Sequence, residues 1–133
     1  MENKRDKKII LIVEDEAPLL QAMRETFLEN GYKVDNAKNG VEGLELAQRD
    51  RPDLIILDVL MPEMDGMTMI QSLRKEPWGV NVPVIILTNV NPESNKILDS
   101  IIKSKPAYYL IKSNVDLADI VEKVKSVLEN SST

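Results

Sequence analysis

The apolar run "IILIV" at positions 9–13 is followed at once by three acids, Glu14, Asp15 and Glu16. Three more apolar runs end in a polar residue: Asp58 in "LIILDVLMPEMDG", Thr88 in "VIILTN" and Lys112 in "YYLIKS". Neighbouring carboxylates repel one another and resist leaving water. Acids crowded at the tip of a buried strand are therefore either solvated or met by something positive. Mg²⁺ is a hard cation that takes oxygen ligands, keeps several waters and is held by one or two carboxylates plus a phosphate. Asp15 and Asp58 suit direct ligands, with Glu14 acting through a water. An aspartate carboxylate, ionised at neutral pH, also serves as a nucleophile toward phosphorus and gives an acyl phosphate. A phosphoryl group in transfer spreads charge over three oxygens and needs cations and donors around it. Lys112 and the Thr88 hydroxyl supply those beside the metal.

Taken singly, each residue has a plainer role. Glu14, Asp15 and Glu16 precede Pro18 and suit the cap and dipole of a following helix. Asp58 suits a turn, Thr88 a helix N-cap and Lys112 a solvated surface. Independent caps, however, need not bring complementary charges to four strand ends.

These residues require elements that gather them. The strands read from the sequence are 9–13, 54–57, 84–87 and 107–111, with a weaker one at 32–37. The first three are continuously apolar, as in strands covered on both faces of a parallel sheet. Helical stripes lie between them. Leu20, Met23 and Phe27 precede a stop at Asn30-Gly31, and Val41, Leu44 and Ala47 precede Pro52. Met67, Ile70 and Leu73 form a third stripe; Leu98, Ile101 and Ile102 a fourth, opened by Asn91-Pro92-Glu93; Leu117, Ile120, Val121, Val124 and Leu128 a fifth. Strand and helix alternate five times, which predicts an α/β fold with right-handed crossovers and helices on both faces. The expected architecture is a five-stranded parallel sheet of order 2-1-3-4-5, doubly wound and flavodoxin-like, with ligands bound at the carboxyl ends of the strands. Strands 1, 3, 4 and 5 are then neighbours, so Glu14, Asp15, Asp58, Thr88 and Lys112 share one edge.

Bulk composition narrows the chemistry. The chain has 133 residues, the size of one domain, and 43% of them are hydrophobic, enough for a proper core. Net charge is −5 with basic residues scattered, which argues against direct nucleic-acid binding. There is no cysteine, so disulfides and thiolate metal sites are excluded, and no histidine, so the commonest general base is absent. The basic head "MENKRDKK" is followed by an apolar run too short for a signal peptide or a membrane span, and a cytoplasmic protein is expected.

With "VEDE" (13–16), "DVLMPEMDG" (58–66), "LTN" (87–89) and "YYLIK" (108–112) in order, each at a strand end, the chain resembles the receiver domains of two-component response regulators. The likeness is to the stand-alone, chemotaxis-regulator-like form and covers roughly Lys8 to Leu128. It implies a single receiver domain over 1–133, with its core at about 8–128. It implies phosphorylation of Asp58 by a histidine kinase or phosphotransfer protein, and Mg²⁺ at Glu14, Asp15, Asp58 and the backbone carbonyl of Leu60. It implies phosphate contacts from Thr88 and Lys112, with Thr88 and Tyr109 as the switch pair, and a loop shaped by Met61-Pro62 and Gly66. The face of helix 4, strand 5 and helix 5 would then change its preference for a downstream protein target, a phosphorylation-dependent dimer included. No membrane or nucleic-acid partner is implied. Nor is enzymatic activity, beyond assistance to the chain's own aspartyl phosphorylation and dephosphorylation. The resemblance would also place Leu60 and Val90 beside the approach of a hydrolytic water; neither side chain can hydrogen-bond one, which predicts a long-lived acyl phosphate.

Three residues depart from the family pattern, one of them Pro106 in "KSKPAYY", where a glycine is common before strand 5. Ser113 stands where proline, often in a cis bond, follows the lysine, and Asn89 stands where a small residue follows the threonine. A receiver-like interaction adaptor that is not regulated by phosphorylation is therefore an alternative. A small magnesium phosphatase is a third reading, without a glycine-rich phosphate loop to support it. The residues leave the kinase, the pathway and the oligomeric state open, as well as whether this is a stand-alone protein or part of a longer regulator.

Overall fold

The computed structural model describes residues 7–59, 65–89, 99, 101 and 103–131. Strands β1 (Ile9–Val13), β2 (Lys33–Ala37), β3 (Leu54–Leu57), β4 (Val84–Thr88) and β5 (Tyr108–Ile111) form one sheet of order β2-β1-β3-β4-β5. Every pairing is parallel, as the continuously apolar strands predicted. Helices α1 (Ala17–Glu29), α2 (Gly40–Asp50) and α3 (Gly66–Arg74) and a C-terminal helix (Leu117–Ser131) cover the sheet. Between β4 and β5, Asp99, Ile101, Lys103 and Ser104 are helical. The rest of the predicted fourth helix, including Leu98, Ile102 and Asn91-Pro92-Glu93, lies outside the described residues.

Alternate side chains of each strand feed two cores. On one face Ile10, Ile12, Leu54, Ile56, Ile85 and Leu87 pack under α1 and the C-terminal helix. On the other, Leu11, Val13, Ile55, Leu57, Val84 and Ile86 pack under α2, α3 and Ile101. A fully buried Ile or Leu side chain contributes about 1.5–3 kcal/mol, so these two layers hold the strand tips in place. Tyr108 and Tyr109 fall on opposite faces, as strand alternation requires.

The helix ends follow local chemistry. Asn39 Oδ1 accepts from the Glu42 N–H at 2.8 Å, and Asp65 Oδ1 accepts from the Thr68 N–H at 2.8 Å. Asp116 and Asp119 cap the C-terminal helix reciprocally, at 2.9 and 3.0 Å. Gly31, with φ +90°, turns the chain out of α1. One residue of a helical stripe differs from expectation: Ala47 is buried and Leu44 packs against the core, but Val41 is exposed, and α2 buries Gly40 and Gly43 as well. The reason is steric. A Cβ on Gly43 would lie 2.9 Å from Val13 Cγ2, so α2 approaches the sheet along its glycine face.

Candidate phosphoryl and metal site

Backbone pairing continues past the ends of β1 and β3. The Glu14 N–H donates to the Ala37 carbonyl at 3.0 Å, and the Asp58 N–H donates to the Val13 carbonyl at 3.0 Å. Both side chains therefore leave the same edge of the sheet, at the point where strand order reverses around β1. Leu57 registers with Ile86, so Thr88 stands one residue beyond the level of Asp58. Thr88 registers with Ile111, and Lys112 follows.

The Lys112 ammonium is the centre of the group. Its Nζ lies 2.8 Å from Asp58 Oδ2 and 2.9 and 3.0 Å from the two oxygens of Glu14, and it also donates to Glu16 Oε1. Glu14 and Asp58 are buried, with side chains 2% and 6% exposed, whereas Glu16 is 59% exposed. Burial raises the carboxyl pKa of Glu14, against the hydrogen bond from Lys112. Burial by itself lowers the Lys112 pKa, but hydrogen bonds to Asp58, Glu16 and Glu14 outweigh it, and the pKa is raised. The ammonium is thus firmly protonated.

Carboxylate oxygens of Glu14, Glu16 and Asp58 lie within 4.8 Å of one another, a spacing that suits a cation. The donors are all oxygen, and the carboxylates of Glu14, Asp15, Glu16 and Asp58 outnumber the one ammonium. A hard divalent ion fits that chemistry, as Mg²⁺ does. Asp15 is exposed and stands apart from the three that converge. The chain leaves the strand here and bends at Asp15, and Glu16 has extended backbone (φ −81°, ψ 103°). Glu16 is not among the site residues read from the sequence, because an acid just before Ala17-Pro18 reads first as a helix N-cap. Glu16 makes no side-chain cap on α1; instead its N–H donates to Glu14 Oε2 at 3.0 Å.

Thr88 is buried at the tip of β4. Tyr109 is half-buried in the layer that includes Ile101, and its hydroxyl pKa is raised by burial and by the charge of Asp58. The Leu60 carbonyl, Met61-Pro62 and Val90 lie outside the described residues. Gly66 is within them and closes the loop after Asp58, its N–H donating to the Val59 carbonyl at 3.2 Å. The Lys112–Ser113 bond is trans, there being no cis peptide among the described residues, and Lys112–Asn114 forms a 3₁₀ turn. Asn89 and Ser113, met in the sequence as two separate departures, touch: Asn89 Oδ1 accepts from the Ser113 N–H at 3.2 Å.

Residues 10–125 match the family model of the response regulator receiver domain. The response regulator MprA of Mycobacterium leprae is 39% identical over 88 residues, which are 66% of this chain and 38% of that protein. The chain thus spans well under half the length of the curated relatives it matches. Among solved structures, a CheY-like receiver domain protein from Methanospirillum hungatei superposes with a TM-score of 0.86 at 24% identity, over 96% of this chain and 98% of the other. At that identity the likeness speaks for the fold. The signal receiver domain of a histidine kinase from Syntrophus aciditrophicus gives a TM-score of 0.82 at 31% identity, covering 92% and 91%.

Proposed function

Because the chain belongs to the response regulator receiver domain family, we propose that it is a phosphoacceptor switch of two-component signalling and that Asp58 carries the phosphoryl group. The observation behind this reading is the 2.8 Å contact between Lys112 Nζ and Asp58 Oδ2, beside the buried carboxylate of Glu14. An Asp58 oxygen attacks the phosphorus of a phosphohistidine on a kinase or phosphotransfer protein. The new O–P bond forms as the P–N bond breaks, and the imidazole leaves with the electron pair and takes up a proton. Lys112 offers its ammonium to the incoming oxygens, and the Thr88 hydroxyl offers a hydrogen bond. Mg²⁺, when bound, would supply positive charge to offset that developing on the phosphoryl oxygens. Asp15 and Asp58 would hold it, with Glu14 through a water and the Leu60 carbonyl completing the protein's share.

Phosphorylation then draws on Thr88 and Tyr109. These change the face formed by the fourth helix, β5 and the C-terminal helix, where a downstream protein or a second copy docks. Such a switch works in the cytoplasm; among the described residues no helix is long and apolar enough to cross a membrane.

Intact mass after incubation with acetyl phosphate and Mg²⁺ tests the reading. One added phosphoryl group is expected, and none in Asp58→Asn. A wild-type chain that gains nothing is an adaptor, and one that turns over many equivalents is an enzyme; either result overturns the proposal.

A further inference from the structure

The Lys112–Asn114 turn begins with no side-chain cap from its own N-cap residue, Ile111. The first N–H groups of any helical turn lack an internal acceptor. Here one acceptor comes from another strand: Asn89, 24 residues away in sequence, accepts from the Ser113 N–H. Strand register makes this possible. Thr88 is opposite Ile111, so Asn89 is opposite Lys112 and its side chain reaches one residue further. The bond therefore ties the tip of β4 to the residue directly after the lysine that grips Asp58.

We infer that Asn89 is a positioning residue for Lys112, capping from the neighbouring strand the turn that aims the ammonium at Asp58. A lysine side chain has four flexible carbons and loses much rotamer freedom when held. Fixing its backbone from two sides reduces the number of turns it samples. Serine in place of proline at 113 is what provides the N–H, and asparagine in place of a small residue at 89 is what receives it. The two departures are thus one device. This inference rests on Asp58 being the phosphoacceptor only where rates are concerned; the position of Lys112 is measured without phosphate.

Three variants test it. Asn89→Ala removes the acceptor. Asn89→Asp keeps an oxygen in the same place. Lys112→Met removes the group through which Asn89 acts. In ¹⁵N NMR, the Lys112 Nζ signal of Asn89→Ala should move toward that of solvent-exposed lysines, while Asn89→Asp stays near wild type. Asn89→Ala should slow Asp58 phosphorylation by acetyl phosphate about three- to tenfold, the scale of one neutral hydrogen bond, and Asn89→Asp should restore most of the loss. In the Lys112→Met background Asn89→Ala should add no further slowing. An unmoved Nζ signal in Asn89→Ala, or the same slowing with and without Lys112, overturns the inference. If wild type takes no phosphoryl group, the proposed function fails while the Nζ signal still decides the role of Asn89.

Discussion

Lys112 and Asp58, 54 residues apart in sequence, meet at 2.8 Å, and the same ammonium bridges both oxygens of Glu14. One cation thereby offsets two buried carboxylates that would otherwise repel each other. Removing one partner of such a group leaves uncompensated charge and costs about 3 kcal/mol.

Lys112→Met should therefore lower the stability to urea by about that amount at neutral pH. The same change frees the carboxylates and removes a repelling positive charge, so Mg²⁺ affinity should rise several-fold while phosphorylation slows. Titration calorimetry and intact-mass kinetics read the two effects. Weaker Mg²⁺ binding in the variant would show that the ammonium and the ion do not compete.

Asp15 and Glu16 separate the metal assignment from the apo geometry. Asp15→Asn should lower Mg²⁺ affinity at least tenfold without unfolding the protein, because the residue is exposed. Glu16→Gln should change it only a few-fold, since its half-exposed side chain is engaged by Lys112. A Mg²⁺ titration of each variant decides, and the reverse order of effects would transfer the ligand role to Glu16.

Gly66→Ala should disturb the site from behind. A Cβ there would lie 2.4 Å from the Asp58 carbonyl and 2.7 Å from Val59 Cα, both backbone atoms that cannot swing aside. Overpacking of this kind costs about 1–3 kcal/mol. Stability should fall by that much and phosphorylation of Asp58 should slow. Wild-type stability in the variant would mean that the loop after Asp58 yields freely.

Asp35 gives a pH signature remote from the phosphoryl site. Burial first, then the neighbouring Asp50, raises its carboxyl from 3.8 to about 6. Between those values the folded state holds a proton that the unfolded state has released, so stability falls as pH rises from about 4 to 6. Asp35→Asn supplies a permanent N–H donor toward Asp50 and removes that loss. Its melting temperature should exceed wild type at pH 7 and match it near pH 3.5. An equal offset at both pH values would sever the link to Asp35.

The linear chain determined the strands, their order and which polar residues gather at one edge, because those depend on local composition and on one topological rule. Continuous apolar runs have to be buried on both faces, and alternation with helices dictates parallel crossovers; Asp58, Thr88 and Lys112 then reach one edge. What depended on side-chain volume and on contacts between distant residues was settled only in three dimensions. Gly43 lets α2 sit against Val13, so the glycine face is buried and Val41 is left in solvent. Lys112 reaches the carboxylates of Glu14, Glu16 and Asp58 together only once β1, β3 and β5 lie in one sheet. Asn89 and Ser113 read as unrelated departures along the sequence, because a hydrogen bond across 24 residues exists only once β4 and β5 are in register.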